Sequence, residues 1–446
     1  MKRFLVVLTA ALVLSAVSGP AAAQEKRVLT LDDCLRLALE RNPFYLAARE
    51  REGGAKAQLN EAASRFFPSL NAQGMNTLSE KPIELVFPSL IPDQPPQRIK
   101  VDFTRNYQMT MALTVPIFTG GRLLAAYRQA DYNLGATRES IRQSRQETIF
   151  NVKQGFYGYL LAKQFVEVAE EASALAEGHY STVKSLFEVG MASKFDLLRS
   201  EVEVANLKPQ LIRARNGLAV AELGLKSVLG LDLAESVEFR GELTFVPQDP
   251  NVEEAVALAL IQRPDLAQLQ FQRRMAGEVL KLARANGLPT LAVAGSYNYW
   301  ADQFKFTKGV WTNYYAVNLV LTIPIFNGFA ASAQVGQSKA LIRELELTQK
   351  GMTEMVKFEV RQAVLNYTQA REALLSQEKN VEQAREAVRI AELNYKEGLA
   401  TNLDVSGTQV ALSQARTNHS QALYDCAVAL AQLEKAVGSG SRETEN

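Results

Sequence analysis

The sequence contains few of the residues on which most catalytic and metal sites depend. Among 446 residues there are two cysteines, Cys34 and Cys426, and two histidines, His179 and His419. Two thiols exclude a disulfide framework and a four-thiolate zinc site, and two histidines leave little for a multi-histidine metal site. No phosphate loop, nucleophile motif or metal-ligand cluster is present. We therefore expect neither an enzyme nor a bound metal or cofactor.

An excess of charge is also missing. The chain has 49 basic and 48 acidic side chains, so nothing indicates a surface for nucleic acid. The long apolar run is at the N-terminus, where it follows Lys2 and Arg3 and ends at the small residues Ala21-Ala22-Ala23. Residues 1–23 are therefore predicted to be a secretory signal peptide. After it, no segment approaches the roughly 18 uninterrupted apolar residues of a membrane helix, so helices are not expected to cross a membrane.

The most informative feature that is present is an internal duplication. The segment from Leu31 matches the segment from Val252 at an offset of 221, whereas Val115 matches Ile323 at an offset of 208. The change in offset falls in a Pro-rich stretch of the first copy, which is predicted to be an inserted loop. The copies are predicted to span 24–230 and 252–438. An inter-repeat linker joins them at 231–251, in an equatorial region, and a flexible tail follows at 439–446.

Both copies have the same predicted order of elements. A short helix and a helix of about 24 residues are followed by a β-hairpin, a helix of about 68 residues and a return helix of about 34 residues. The hairpins are expected at about 69–116 and 290–324, because apolar and polar residues alternate there. The strand-to-helix junctions are marked by Pro116, Gly120, Pro324 and Gly328.

The four strands of a chain are too few for a closed barrel. Each has about ten residues, which suits a tilted membrane-spanning strand, and exposed strand edges are not tolerated in hydrocarbon. The strands would therefore close between subunits, with 8, 12 or 16 strands for a dimer, trimer or tetramer. A small soluble sheet with an aromatic core is the alternative interpretation, and it would make the protein a periplasmic coiled-coil scaffold without a pore.

Several duplicated motifs resemble the TolC-like outer membrane efflux protein family. They are the paired VPIFTGG and IPIFNGF junctions, the opening LTLDDCLRLALERNP, and the turns FEVGMASKFD and YKEGLATNLD. The resemblance covers essentially the whole mature chain. It implies a mainly α fold with a small transmembrane β part, in which a homotrimer forms a 12-stranded β-barrel continuous with a long periplasmic α-helical barrel.

The family resemblance also implies a function and a location. The expected protein is an exit duct in the outer membrane of a Gram-negative bacterium, within a tripartite efflux or type I secretion system. Its expected partners are two further copies of the chain, outer membrane lipid, a periplasmic adaptor, and an inner-membrane pump of the RND, ABC or MFS type. Substrates would pass through it passively.

By the same resemblance, the turns between the long helices form the pore entrance. Asp404 and Asp196 would form rings of three carboxylates that favour cations. Alternatively, either aspartate is the N-cap of its return helix, a role open also to Ser193 and Thr401. The residues that would contact the adaptor, or that only tighten the turns, are Gly190, Met191, Ala192, Gly398, Leu399 and Ala400.

Four further residues belong to no motif that settles their role. Cys34 and Cys426 form one disulfide in an oxidising compartment or stay as two free thiols, and the sequence leaves both alternatives open. Neither His179 nor His419 lies in a recognisable constellation, so a surface position is expected for both.

Overall fold

The computed structural model describes residues 27–78, 80, 83–88, 95–101, 105–245, 247–305, 307 and 309–439. The predicted signal peptide, most of the predicted tail, and the insertion residues Pro82 and Pro92 lie outside this part of the chain. Among the described residues, no helix combines the length and the hydropathy needed to cross a membrane.

The first copy has the predicted order of helices. They are α1 Leu31–Arg41, α2 Pro43–Ser64, α3 Arg122–Glu188 and α4 Lys194–Leu229. Its strands are β1 Arg27–Leu29, β2 Ser69–Leu78, β3 Ile83–Phe87, β4 Gln97–Val101 and β5 Arg105–Phe118. The long helix α3 has 67 residues and the return helix α4 has 36, within two residues of the predicted lengths.

The second copy repeats this arrangement. Strand β6, Val237–Phe239, precedes helices α5 Val252–Gln262 and α6 Pro264–Ala285, strands β7 Thr290–Ala301 and β8 Thr312–Thr322, and helices α7 Ala330–Lys396 and α8 Asn402–Val437. Helices α7 and α8 have the same lengths as α3 and α4. Identical lengths in both copies follow from the constant offset after the junctions.

The chain divides into two compact units, and each unit draws segments from both copies. One unit comprises residues up to 46, 144–262 and from 356 onward, and the other comprises 47–143 and 263–355. The units therefore do not coincide with the sequence repeats. The first unit holds the turns between the long helices, and the second holds the sheet.

The four-stranded sheet of the second unit is antiparallel, in the order β2-β5-β7-β8. Its register places Met111 opposite Tyr297, and Tyr297 opposite Tyr315. Because side chains alternate between the two faces of a strand, one face is mostly apolar and the other mostly polar. The apolar face includes Leu70, Met109, Met111, Leu113, Val293, Tyr297, Tyr315, Val317, Leu319 and Leu321.

The Pro-rich insertion contains a two-stranded ribbon, where only a loop was expected. Strands β3 and β4 pair antiparallel, and Leu85 lies opposite Ile99. Next to this pair, Lys100 Nζ lies 3.1 Å from the Glu84 carboxylate. The prolines flank the strands rather than interrupt them, so the short alternating segments between them are free to pair.

The first unit has an apolar core that brings strand β1 and helix α1 together with parts of α3, α4 and the inter-repeat linker. Strand β1 pairs in parallel with β6, which lies inside the predicted inter-repeat linker. Phe239 of that linker packs in one buried cluster with Cys34, Phe156 and Leu225. Part of the linker is thus core structure, because four of its apolar side chains are buried: Leu231, Val237, Phe239 and Leu243.

Candidate functional site: the tips of the two helical hairpins

Two turns with the same backbone geometry connect the long helices to their return helices. We define the first tip as residues 189–193 and the second tip as residues 397–401. Gly190 and Gly398 have φ of 77° and 73°, the left-handed conformation that ends a helix at low cost for glycine. Met191 N–H donates to Leu186 O at 2.8 Å, and Leu399 N–H donates to Asn394 O at 2.7 Å. This bond spans six residues in each copy, so both tips are Schellman turns.

The return helices begin with side-chain caps, but the aspartates are not the cap residues. Ser193 is the N-cap of α4 and Thr401 is the N-cap of α8, each in an extended conformation. The hydroxyl of each accepts from the backbone N–H of the aspartate three residues on, at 3.0 Å for Asp196 and 3.3 Å for Asp404. The interpretation of the aspartates as N-caps is therefore wrong: they occupy the third helical position and complete the caps from inside the helix.

Asp404 completes the stronger of the two caps. Its Oδ2 accepts from the Thr401 backbone N–H at 2.8 Å and from the Thr401 hydroxyl at 2.7 Å, which makes a reciprocal capping box. These two hydrogen bonds hold the pKa of the exposed Asp404 carboxyl below its ordinary value. The carboxylate is thus kept ionised at the start of a helix, where the helix dipole also favours negative charge.

Asp196 is tied to its cap by one short bond. Ser193 Oγ donates to Asp196 Oδ2 at 2.5 Å. The side chain is half-buried, and its charge contributes, after burial, to raising the pKa of the Tyr395 hydroxyl on α7. The two aspartates therefore differ in surroundings: Asp404 is exposed, whereas Asp196 lies near the second hairpin.

The two hairpins are joined near their tips by buried polar residues that the sequence did not indicate. Asn402, the first residue of α8, is 3% exposed, and its Nδ2 donates to the backbone O of Asp196 at 3.1 Å. His179 on α3 is 7% exposed, and its Nε2 lies 2.6 Å from Asn402 Oδ1. The expected surface position of His179 is wrong, because this ring packs edge-on against Tyr395 with centroids 5.1 Å apart.

The tips also expose large apolar side chains. Met191 is 73% and Leu399 is 79% exposed, whereas Ala192 and Ala400 beside them are half-buried. Val189 and Phe195 extend the apolar surface on the first hairpin. Four large apolar side chains are thus exposed at or beside the two tips.

The strand-to-helix junctions lie in the second unit and share an unusual backbone. Gly120 and Gly328 both have φ of 61°. The next residue is also left-handed in each copy: Gly121 has φ of 82° and Phe329 has φ of 66°. Pro116 lies within β5, next to a register shift between Pro116 and Phe118. Pro324, in contrast, follows the end of β8, so the two junctions differ in the length of strand that precedes them.

The two cysteines are not bonded to each other. Both are free and buried, Cys34 in the cluster around Phe156 and Cys426 in a cluster with Tyr367 and Leu374. Burial raises the pKa of the Cys34 thiol to about 12 and also raises that of Cys426. Of the two alternatives that the sequence left open, the structure has the free thiols.

Comparison with known proteins places the chain in a family. The family model described as outer membrane efflux protein matches residues 34–231 and 255–439. The chain therefore belongs to the outer membrane efflux protein family. Membership makes it an outer-membrane exit duct that extends into the periplasm of a Gram-negative bacterium, as the motifs predicted.

Individual relatives are distant but match over much of their length. The chain is 24% identical to the outer membrane protein TolC of Vibrio cholerae, covering 71% of this chain and 72% of that protein. It is also 24% identical to the alkaline protease secretion protein AprF of Pseudomonas aeruginosa, covering 75% and 70%. Both names describe export or membrane proteins rather than enzymes.

A solved structure confirms the expected fold. The outer membrane channel CmeC of Campylobacter jejuni superposes with a TM-score of 0.77 at 18% identity, covering 93% of this chain and 87% of that one. The predicted combination of a mainly α chain with a small β part is thus confirmed.

Proposed function

We propose that three copies of this chain form a passive duct through which substrates leave the periplasm. In this proposal a periplasmic adaptor and an inner-membrane pump, of the RND, ABC or MFS type, deliver the substrate. The observation that supports it most directly is the two-sided sheet. Leu319 and Leu321 on its apolar face are more than 60% exposed, which is costly in water and favourable in lipid.

The sheet also argues for closure between copies. Strands β2 and β8 form its two edges within the described chain. An open strand edge leaves backbone N–H and C=O groups unpaired, which hydrocarbon does not tolerate. Pairing β8 of one copy with β2 of the next satisfies both edges. Three copies then give twelve strands, with the face of Thr110, Asn298 and Asn318 lining the lumen.

Charge substitution on the two faces tests this arrangement. Leu319→Lys places a charge on the proposed lipid face, and Asn318→Lys places the same charge on the proposed lumen face. A lysine facing the bilayer midplane costs about 2–4 kcal/mol per site. We therefore expect Leu319→Lys to reduce trimer assembly in outer membranes sharply and Asn318→Lys to assemble normally. Equal assembly of both variants, or soluble extraction of the unaltered protein, would favour a periplasmic scaffold instead.

The proposed entrance lies at the tips. Three copies of Asp404, and three of Asp196, would form carboxylate rings that attract cations. Each hairpin would contribute one ring, because Arg199 and Gly407, three positions after the two aspartates, are not acidic. The exposed Met191 and Leu399, with the glycine and alanine residues beside them, would receive the adaptor.

A further inference from the structure

A groove runs along helix α8 in the first unit, with α3 on one side and α7 on the other. Its volume is about 620 Å³. Two of the alanines that line it, Ala363 and Ala422, are 4% and 7% exposed, so they lie at its bottom. From Ala363 to Gln377 the lining follows α7 for about 21 Å, at 1.5 Å per residue. The space is therefore elongated along the helix axes.

Amides and small apolar side chains line this groove. Seven of the described residues that line it are asparagine or glutamine, and the one acidic residue among them is Asp425. Asp425 Oδ1 accepts from Gln421 Nε2 at 2.8 Å. Asn366, Gln369 and Gln432 form no hydrogen bond with any other residue in the part of the chain that the structure describes. Each of these three amides therefore offers a ligand both a donor and an acceptor.

The groove lies on the side of α8 that the inter-repeat linker leaves uncovered. Leu423 and Leu430 of α8 pack against the same buried cluster as the linker residue Phe245. Gln421 and Gln432 are each two positions from one of these leucines, which is about half a turn of the helix. The amides of the groove therefore point away from the linker.

Packing of the helices does not require these amides. At the offset of 208 between the two copies, Gln369 corresponds to Leu161 and Gln432 corresponds to Gly224. The buried apolar seam is kept instead, because Val152 and Val360 are both fully buried at matching positions. The second copy thus has the helix-packing residues of the first and, in addition, a set of amides on an open face.

We propose that the groove binds an extended, uncharged stretch of polypeptide through the backbone of that stretch. This inference rests on the proposed function, in which the face that the linker leaves uncovered lines the duct. An extended segment of six residues is about 20 Å long, which matches the groove. The described lining residues include no lysine or arginine, so nothing there compensates the charge of an acidic stretch.

The amides suit a polypeptide backbone of any sequence. An extended chain presents N–H and C=O groups toward both of its sides. Asn366 and Gln369 lie on α7, whereas Gln421 and Gln432 lie on α8, so amides are available on both sides of a bound chain. An amide NH₂ donates to a backbone carbonyl, and an amide oxygen accepts from a backbone N–H. Recognition of this kind does not depend on the side chains of the bound segment.

The test measures binding of a defined peptide to the intact protein in detergent. The probe is a hexapeptide of serine and glycine with blocked termini and an uncharged fluorescent label, followed by fluorescence anisotropy. We expect saturable binding that an unlabelled peptide of the same composition reverses. A hexamer of N-methylglycine, which has no backbone N–H, should not compete. Maltohexaose, an uncharged chain of sugar hydroxyls, should not compete either.

Variants of the groove test where the peptide binds. Gln369→Met and Gln432→Met keep the length of the side chain but remove its hydrogen bonds, so each should weaken binding about twofold to tenfold. Gln210→Met on α4 removes an exposed amide outside the groove and should leave binding unchanged. Ala373→Phe should fill the groove and abolish binding. Residues 369, 373 and 432 are exposed, so thermal unfolding should stay the same in these variants.

The outcomes separate this inference from the proposed function. Absence of peptide binding, or unchanged binding in Ala373→Phe and both methionine variants, would overturn the inference. Competition by the N-methylated hexamer or by maltohexaose as strong as that by the peptide would overturn recognition of a polypeptide backbone. In planar bilayers, the peptide should block the current of the unaltered protein for longer than that of Gln432→Met. If no pore forms, the proposed function fails, whereas binding in detergent still decides whether the groove holds the peptide.

Discussion

Thr401 and Asp404 bond each other in both directions: the Asp404 carboxylate accepts from the Thr401 N–H and hydroxyl, and the hydroxyl accepts from the Asp404 N–H. The same carboxylate that completes the cap of α8 is exposed at the proposed pore entrance. Capping and ion attraction are therefore compatible, because capping fixes the carboxylate without neutralising its charge. A substitution that removes the charge of residue 404 but keeps a hydrogen-bond acceptor there distinguishes the two roles.

Replacement of Asp404 by asparagine or by alanine distinguishes these roles. Asparagine keeps an oxygen that accepts hydrogen bonds from Thr401, whereas alanine removes both the oxygen and the charge. We expect both variants to lose cation preference in single-channel recordings. Both variants should also unfold at a lower temperature, and the alanine variant more so, because asparagine keeps a neutral acceptor in the capping box whereas alanine keeps none. Unchanged cation preference in both would remove Asp404 from the entrance.

The lowered pKa of Asp404 gives the entrance a defined pH range. Because its carboxyl titrates lower in the folded protein than in the unfolded chain, the bonded carboxylate stabilises the fold fully above the ordinary aspartate pKa of about 3.9. This contribution is lost as the pH falls through the folded pKa. Cation preference should therefore persist below the ordinary aspartate pKa of about 3.9 and disappear only as the pH falls through the lower pKa of the folded protein.

A variant of the cap residue tests the cause of this pH range. Thr401→Val removes the hydroxyl that donates to Asp404, so the pKa of Asp404 should return toward its ordinary value. Reversal potentials across a salt gradient, measured as the pH is lowered, should then lose cation preference at a higher pH than in the unaltered protein. The same midpoint in both proteins would mean that another group sets the selectivity.

The duplication predicted most of the architecture because it doubled each weak signal. A lone period-two segment such as 107–115 is ambiguous, but a matching segment at 315–323 leaves little room for chance. The ends of the long helices were predictable for a different reason, since Gly190 and Gly398 satisfy a specific steric demand. Their φ values of 77° and 73° meet this demand.

The sequence patterns did not predict structural features that lack a periodic signal. Strand β1 and its partner β6 have three residues each, too few for an alternating pattern. The contact of His179 with Asn402 joins residues 223 positions apart, so no local spacing reveals it. The choice of Ser193 and Thr401 over the aspartates as caps depends on one backbone dihedral, which composition does not determine. These pairings, contacts and cap assignments depend on the folded backbone, so local sequence patterns do not reveal them.

Gly398 in the second Schellman turn and Gly407 within helix α8 allow a matched pair of alanine substitutions. Gly398→Ala forces a Cβ into the left-handed region and should destabilise each chain by about 1–2 kcal/mol. Gly407 lies in α8 with nothing within 4 Å of an added Cβ, so Gly407→Ala should stabilise by about 0.5–1 kcal/mol. Thermal unfolding of the two variants should move in opposite directions. A shift of the same sign in both would contradict the assigned turn.

The buried thiols predict a simple labelling result. With the pKa of Cys34 at about 12, almost no thiolate exists near neutral pH, and burial also blocks access to the sulfur. We expect a maleimide reagent to label neither cysteine in the folded protein and both after denaturation without reductant. Absence of labelling after denaturation would show that the two sulfurs are joined in a disulfide.

Alanine substitutions at the two junction glycines distinguish the cost of backbone strain from the cost of a steric collision. Gly120 and Gly328 have the same φ of 61°, so alanine at either position carries the same left-handed strain. At Gly120 the added Cβ would lie 2.8 Å from Leu288 Cβ, whereas at Gly328 nothing lies within 4 Å. Overpacking of this kind typically costs about 1–3 kcal/mol. Gly120→Ala should therefore be more destabilising than Gly328→Ala by about that amount in thermal unfolding. Adding Leu288→Ala, which removes the end of the colliding side chain but keeps its Cβ, should not restore Gly120→Ala, because the closest contact is with the Cβ itself.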